Sequence, residues 1–157
     1  MITFEPVDSP ERAEDLRVLR NECAEWMTWD TSLITAERQQ EFYRQKITTG
    51  KIEGFLMLAD AVPVAYGLLV WDGQHRAWSS TGVKAASRGQ GFGRTVTIEN
   101  VKLAHAHGVP MWAEVRRDNA GQQKICHSIG YEVTETLVRD GMTVDVMCCS
   151  VLRPGRL

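Results

Sequence analysis

Residues 83–95 read VKAASRGQGFGRT, and this stretch decides the fold. Three glycines alternate with other residues inside it, and an arginine stands on either side: Arg88, Gly89, Gly91, Gly93 and Arg94. Glycine has no Cβ, so the backbone can turn sharply here and lie directly against a ligand. A strand-like run precedes the loop and a helix-like run follows it. Free N–H groups and the positive end of a helix dipole would therefore face that ligand, which we expect to be a pyrophosphate.

Outward from this loop, hydrophobic periodicity, capping residues and turn residues predict the order β-α-α-β-β-β-α-β-α-β-β. The predicted strands are 2–7, 54–59, 64–71, 75–83, 109–115, 132–138 and 142–152. The predicted helices run from 10 to about 27, from 35 to 49, from 94 to about 107 and from 119 to about 130. Turns are predicted at 60–63, at Asp72-Gly73 and at Asp140-Gly141.

The strand before the glycine loop, the helix after it and the next strand form a βαβ unit. Such a unit places its two strands parallel with a right-handed crossover. The remaining strands are expected to pair antiparallel. The sequence therefore predicts a mixed α/β (α+β) fold, with a mostly antiparallel central sheet and one parallel βαβ crossover. A chain of 157 residues is expected to form one domain over 1–157.

The composition argues against several classes of partner and location. The formal net charge is −2, so no overall basic field attracts nucleic acid, and we expect no nucleic-acid partner. No apolar run approaches the roughly 20 residues that a membrane helix needs. The first residues, MITFEPVDSPER, lack the basic and apolar regions of a signal peptide. We therefore expect a cytoplasmic protein with no membrane association.

Four cysteines, Cys23, Cys126, Cys148 and Cys149, show no spacing typical of zinc ligands, so we expect no metal site. We interpret all four as reduced thiols. Cys148 and Cys149 are adjacent in a predicted strand and are expected to point to opposite faces of the sheet.

Two common phosphate-binding motifs do not fit the glycine loop. A P-loop requires Gly-x-x-x-x-Gly-Lys-Ser/Thr, which this chain lacks. A dinucleotide-binding fold requires Gly-x-Gly-x-x-Gly early in a parallel sheet. Here the spacing is Gly-x-Gly-x-Gly, and mostly antiparallel strands precede it.

A third motif fits, because residues 88–93, RGQGFG, match the Arg/Gln-x-x-Gly-x-Gly/Ala loop of the GNAT acyltransferase superfamily. Residues 111–131, MWAEVRRDNAGQQKICHSIGY, resemble the fifth strand and following helix of that superfamily. There a strand ending in Glu-Val-Arg precedes a capping asparagine, here Asn119, and Gly-Tyr follows about eleven residues later, here Gly130-Tyr131. The order of elements also resembles the superfamily from end to end.

The resemblance implies that acetyl-CoA, or a related acyl-CoA, is the acyl donor. Backbone N–H groups of the loop would bind its pyrophosphate, and the N–H groups near the end of the preceding strand would pair with the pantetheine arm and polarise the thioester carbonyl. The Arg88 side chain is expected to fix the loop rather than to contact phosphate. The implied donor-binding residues are Gly82, Val83, Arg88, Gly89, Gln90, Gly91, Phe92, Gly93, Arg94 and Asn119.

The resemblance also implies a primary amine as acceptor, attacking directly in a ternary complex. Glu114 stands five residues before Asn119, where a similar subgroup, the enzymes that acetylate ribosomal-protein N-termini, has its base. The alternative is a strand-end acid paired with Arg116 or Lys124, and Asn119 itself is most simply an N-cap. The acceptor could be a small amine, an amino sugar, or a protein N-terminus or lysine, and the sequence leaves a homodimer open.

One position departs from the family pattern. The tyrosine expected seven residues after the asparagine, which protonates the leaving thiolate, is Cys126 here. A thiol of pKa near 8.5 could donate that proton, or Cys126 could be a small buried helix residue. The departure motivates an alternative function, a non-catalytic acyl-CoA-binding module. A further alternative is a nucleotide-binding protein of unrelated mechanism.

The acceptor pocket is expected between the first two helices, their connection over 26–32 and the last hairpin. Four aromatic residues could belong to the core at least as readily as to the pocket wall: Trp26, Trp29, Phe42 and Tyr43. Asp30 or Glu22 could hold a cationic substrate.

Overall fold

The computed structural model describes residues 1–73 and 75–153. The strands are β1 (Ile2–Pro6), β2 (Ile52–Ala59), β3 (Val62–Asp72), β4 (Arg76–Val83), β5 (Met111–Arg116), β6 (Glu132–Arg139) and β7 (Met142–Cys149). The α-helices are α1 (Pro10–Glu22), α2 (Ala36–Phe42), α3 (Phe92–Ala106) and α4 (Ala120–Ile129). A π-helix, Tyr43–Ile47, continues α2, so the predicted second helix over 35–49 changes its hydrogen-bond pattern partway. Gln74, beside the predicted turn at Asp72-Gly73, and the last four residues of the predicted domain lie outside the described residues. The single domain over 1–157 stays a prediction.

The seven strands form one sheet in the order β1-β2-β3-β4-β5-β7-β6. Every neighbouring pair is antiparallel except β4 and β5, which are joined through α3 by the predicted crossover. These two strands pair only at Ala77–Met111 and Trp78–Trp112 and then separate. The predicted fold class is confirmed, and the separation of β4 from β5 opens the middle of the sheet.

Alternation along the strands sends apolar side chains to both faces of the sheet, and helices cover each face. On one face, Leu16 and Leu19 of α1 pack with Leu56, Tyr66 and Leu68. On the other face, α3 and α4 bury a larger cluster that includes Val101, Cys126, Ile129, Met111 and Met147. The central sheet is therefore held between two helical layers.

Helix α1 is shorter than predicted. Its last residue is Glu22 rather than a residue near Met27, and a separate 3₁₀ turn covers Ala24–Trp26. Cys23, between them, has φ −104° and ψ 4°, outside the helical range. The apolar spacing that predicted a longer helix also fits this turn, because both place Cys23 and Ala24 inside the core.

Four predicted strand boundaries are wrong by two or three residues, the starts of β2, β3 and β5 and the end of β7, and two of these have a clear structural reason. The turn after β2 holds only Asp60 and Ala61, both at positive φ, and β3 begins at Val62. Pro63 is accommodated inside β3 because the register shifts at Met57/Leu58, opposite it, and a bulge tolerates the missing N–H. Strand β7 ends at Cys149, since the chain then turns so that the Arg153 N–H donates to the Ile129 carbonyl at 2.7 Å.

All four cysteines are free thiols, and Cys148 is partly exposed whereas Cys149 is buried, as their adjacent strand positions predict. Within residues 1–73 and 75–153, no group of histidine, cysteine, aspartate or glutamate side chains could hold a metal ion. None of the helices in the same ranges is both long and apolar enough to cross a membrane.

Candidate functional site

A cavity of about 990 Å³ opens where β4 and β5 separate. Ser79, Ser80, Thr81, Gly82 and Val83 of β4 line one side, and Ala113, Glu114, Val115 and Arg116 of β5 line the other. The glycine loop, the start of α4 and the connection after α1 complete the wall. The motifs singled out in the sequence therefore meet in one place, and both strand edges present backbone groups to the space between them.

The glycine loop has the backbone geometry of an anion cradle. Gly89 and Gly91 have φ +79° and +83°, and a Cβ built on either residue meets no atom within 4 Å. Gly91 is also the N-cap of α3, whose first hydrogen bond runs from the Thr95 N–H to the Gly91 carbonyl at 3.2 Å. The N–H groups of that first turn have no partner within the helix. The loop therefore offers backbone N–H donors and the positive end of a helix dipole to an anion.

Arg88 holds the loop to the end of α1. Its guanidinium donates to the Val83 carbonyl at 3.3 Å and to the Glu22 carbonyl at 3.2 Å. The Glu22 carboxylate accepts from the Ala85 N–H at 2.7 Å, so this acid caps the loop, and a substrate cation would have to compete for it. Two independent contacts thus fix the start of the glycine loop against the first helix.

Eight of the ten predicted donor-binding residues line the cavity: Gly82, Val83, Arg88, Gly89, Gly91, Gly93, Arg94 and Asn119. The other two, Gln90 and Phe92, do not. Gln90 is exposed, and Phe92 packs against the apolar cluster that contains Val96. Asn119 is the N-cap of α4, because its side-chain oxygen accepts from the Gln122 N–H at 3.3 Å. Donor contact by any of these residues stays a prediction.

Glu114 points to the cavity from β5 and is held by an arginine that the sequence analysis missed. Its carboxylate oxygens accept from the two terminal nitrogens of Arg139 at 2.5 and 3.0 Å. The side chain is only 9% exposed. The contact raises the pKa of Arg139. The alternative in which Glu114 pairs with Arg116 is wrong, since the Arg116 guanidinium binds the Asp118 carboxylate at 2.7 Å.

Cys126 lies in the core, outside the cavity wall. Its thiol is fully buried beside the apolar cluster under α4, and burial raises its pKa to about 12. Gln122, one turn earlier on α4, lines the cavity and places its side-chain nitrogen 3.5 Å from the Cys126 sulfur. The proton-donor role stays a prediction, and this burial favours the interpretation as a small core residue.

The connection after α1 forms the other end of the cavity. Trp26, Met27, Thr28, Trp29 and Asp30 all line it. By contrast, Phe42 and Tyr43 pack against the core cluster under α1. The Ser32 hydroxyl and N–H donate to the Asp30 carboxylate and lower the pKa of that group. The open end of the cavity is therefore aromatic and carries an ionised acid.

The cavity wall also includes Trp78 and Arg20, which the sequence did not indicate. Trp78 reaches the cavity from the last position at which β4 pairs with β5. Arg20 is nearly buried on α1 and donates to the carbonyls of Asp30 and Ser32. Arg20 lies on the buried face of α1 and Trp78 in a predicted strand, so periodicity places each on its element without indicating a cavity.

The comparisons with known proteins agree with this geometry. The model of the acetyltransferase (GNAT) family matches residues 14–131. Among solved structures, the chain is similar to yncA of Salmonella typhimurium, solved with acetyl-CoA, at 18% identity and a TM-score of 0.80, over 94% of this chain and 92% of that one. It is also similar to spermidine N-acetyltransferase of Vibrio cholerae, in complex with CoA and spermine, at 15% identity and a TM-score of 0.82. That match covers 96% of this chain and 95% of the other.

A third similar structure is the ribosomal-protein-alanine N-acetyltransferase of Brucella melitensis, at 20% identity and a TM-score of 0.78, over 94% of this chain and 98% of that one. At these identities the solved structures show the fold alone. A comparison with curated proteins gave no match. The family model covers most of the chain, including the glycine loop, Glu114 and Asn119. The chain belongs to the GNAT acetyltransferase family.

Proposed function

We propose that the protein transfers an acetyl group from acetyl-CoA to a primary amine, by direct attack in a ternary complex. The observation that carries this proposal is the cavity of about 990 Å³, which brings the glycine loop, the edge of β4 and the Glu114 carboxylate together. The Salmonella and Vibrio neighbours, solved with acetyl-CoA and with CoA, support the choice of donor. The spermine held by the Vibrio enzyme supports amines as the acceptor class.

On the donor side, the main chain supplies the contacts. N–H groups over 89–94 bind the pyrophosphate, and the dipole of α3 adds to their attraction. The edge of β4 beyond Trp78, which has no strand beside it toward β5, pairs with the extended pantetheine arm. A backbone N–H near Val83 then polarises the thioester carbonyl and stabilises the charge that develops on its oxygen.

On the acceptor side, Glu114 is the base. An alkyl ammonium must lose a proton before its nitrogen can attack, and a carboxylate within reach, directly or through one water, can accept that proton. Each carboxylate oxygen has two lone pairs, so the contact with Arg139 leaves Glu114 able to accept another hydrogen bond. Protein N-termini and lysines as acceptors, a homodimer and a cytoplasmic location stay predictions of the sequence.

The decisive experiment is a free-thiol assay with acetyl-CoA and a panel of amines, amino sugars and N-terminal peptides. We expect CoA release with at least one acceptor. Glu114→Gln should lower kcat by about 10²-fold or more, with the affinity for CoA unchanged. Glu132→Gln, an exposed change at the start of β6, is the matched control and should have wild-type rates. A fully active Glu114→Gln enzyme would show that the base lies elsewhere.

The burial of Cys126 favours one second candidate, an acyl-CoA-binding module without catalysis. Tight acetyl-CoA binding with no CoA release across the whole panel would support it. Thermal unfolding separates both candidates from an unrelated nucleotide-binding protein. CoA at a hundredfold excess over its Kd should stabilise the native state by about 2.7 kcal/mol. Stabilisation by ATP or NAD but not by CoA would exclude both acyl-CoA candidates.

A further inference from the structure

The connection between α1 and α2 is held to the rest of the molecule by arginines. We call residues 25–32 the acceptor segment, since its central residues, Trp26 to Asp30, line the aromatic end of the cavity. Three guanidiniums donate to its carbonyls: Arg116 to Glu25 at 2.6 Å, Arg139 to Thr28 at 3.1 Å, and Arg20 to Asp30 and Ser32. The position of this segment therefore depends on side chains that reach it from α1, β5 and β6.

Arg139 differs from the other two because it also binds the candidate base. Its guanidinium contacts the Glu114 carboxylate through two nitrogens, and it lies 3.5 Å from the centre of the Trp29 ring. The arginine side chain is 19% exposed and the glutamate 9%, so the ion pair is largely shielded from water. One planar group thus touches the base, an aromatic ring of the cavity wall and a carbonyl of the acceptor segment.

We propose that Arg139 is a positioning residue that fixes the orientation of Glu114 and couples it to the acceptor segment. The inference rests on the proposed function, in which Glu114 is the base. A bidentate contact fixes both the distance and the plane of a carboxylate. Cation–π contact with Trp29 in turn fixes the plane of the guanidinium. An acceptor that packs against Trp29 therefore acts on the same group that aims Glu114.

The chemistry of arginine is essential to this role. A lysine at position 139 would keep the positive charge but would lose the paired nitrogens and the flat face. It could neutralise Glu114 without fixing the plane of the carboxylate or holding Trp29. Arg139→Lys therefore separates charge from geometry, and Trp29→Leu removes the ring while leaving the ion pair.

Arg117 provides a matched control. It makes a similar two-nitrogen contact with Asp145, at 2.6 and 3.4 Å, and its side chain also donates to Thr136 rather than to Glu114 or the acceptor segment. Arg117→Gln removes an arginine–carboxylate pair of the same kind. It should lower stability as Arg139→Gln does, without changing kcat or either KM.

The kinetic experiment compares these variants with acetyl-CoA and the best acceptor from the panel. Arg139→Gln should lower kcat roughly tenfold or more and raise the acceptor KM, with the KM for acetyl-CoA unchanged. Arg139→Lys should restore at most a small part of kcat. Trp29→Leu should raise mainly the acceptor KM. Full recovery of kcat by Arg139→Lys would overturn the positioning role.

A double variant tests whether Arg139 acts through Glu114. In the Glu114→Gln background, adding Arg139→Gln should lower kcat no further, because the group to be positioned is already gone. A multiplicative loss would overturn the inference while leaving the proposed function intact. Wild-type activity of Glu114→Gln alone would instead refute the base assignment. If Arg139→Gln fails to fold because Glu114 is left unpaired, the double variant and Arg139→Lys still test whether Arg139 positions Glu114.

Amide hydrogen exchange tests the coupling without catalysis. Arg139→Gln should speed exchange over residues 25–32, since a carbonyl contact and a ring contact are lost there. Arg117→Gln should leave exchange in this segment at the wild-type rate. Equal rates in the two variants would overturn the proposed link between Arg139 and the acceptor segment.

Discussion

Glu114 and Cys126 both occupy positions to which the family resemblance assigns proton transfer, but the surroundings of the two side chains are opposite. Glu114 lies on the β5 edge that faces the cavity and keeps a charged partner. Cys126 lies on the inner face of α4 with Gln122 beside it on the cavity side. A buried thiol with a pKa of about 12 stays protonated at neutral pH and is a weak proton donor.

We expect Cys126→Ala to keep kcat within about twofold of wild type, because the leaving thiolate does not depend on a group outside the cavity wall. The variant should lose about 1 kcal/mol of unfolding free energy, since it removes a buried sulfur from a packed core. Rate assays and urea unfolding check the two parts. Cys148→Ala, which removes a partly exposed thiol from β7, is the control. A tenfold loss of kcat at unchanged KM values would restore the thiol to the mechanism.

At this scale the sequence could identify residues but not their partners. Glu114 and Asn119 follow from a local motif, because a strand end and a helix cap are encoded within a few positions. Arg139 is 25 positions from Glu114, at the far end of a hairpin. Their contact depends on the sheet order β5-β7-β6, which places β6 two strands from β5. Periodicity carries no information on such a pair.

The three glycines of the glycine loop serve two structural roles, a left-handed turn at two positions and close helix packing at the third. Gly89 and Gly91 adopt the left-handed backbone conformation and leave open space toward the cavity. At Gly93, a Cβ would lie 3.2 Å from the Ile125 side chain, so the small residue allows α3 to pack closely on α4. The sequence alone predicts that all three glycines face the ligand. The alternating pattern does not distinguish a turn from a packing contact.

At Gly91 we expect substitution by asparagine to raise the Kd for CoA at least about tenfold, by filling the space that a pyrophosphate would occupy. Asparagine tolerates the left-handed conformation better than other side chains, so the backbone is little strained. Gly108→Asn is the matched control, because Gly108 follows the same helix at its other end, with φ +77° and open space. Calorimetric titration with CoA gives both values. Equal affinities would remove Gly91 from the donor site.

Across the whole molecule, the sequence predicted the kinds of element, one parallel crossover and a mostly antiparallel sheet. Strand alternation and turn residues encode these features locally. The order β5-β7-β6 and the gap between β4 and β5 depend on contacts between distant segments. The cavity is a product of that gap, so its position followed from the family resemblance rather than from the pattern of apolar residues.

The buried thiols give the whole molecule a defined response to alkaline pH. Burial raises the pKa of Cys126 to about 12 and of Cys149 to about 11, from an ordinary value of 9.0. Above about pH 9 the unfolded chain releases these protons while the native state keeps them. The unfolded state then binds fewer protons, so the unfolding free energy falls as pH rises, by up to about 1.4 kcal/mol per pH unit for each thiol.

Urea unfolding between pH 7 and 10.5 should therefore show stability that is constant up to about pH 8.5 and decreases above it. Cys126→Ala should show a shallower decrease, because one of the contributing thiols is absent. An identical slope in the variant and the wild type would contradict the role of Cys126 in this alkaline response.

The two-position pairing of β4 with β5 has a mechanical consequence. The sheet has two halves, one of β1 to β4 and one of β5, β7 and β6. Strands β4 and β5 join these halves, and they pair at only two positions. Beyond these positions, the β4 backbone meets a gap where a neighbour would normally stand. If the donor binds as proposed, its peptide-like pantetheine arm would hydrogen-bond to β4 in this gap, and the bound donor would then bridge the two halves of the sheet.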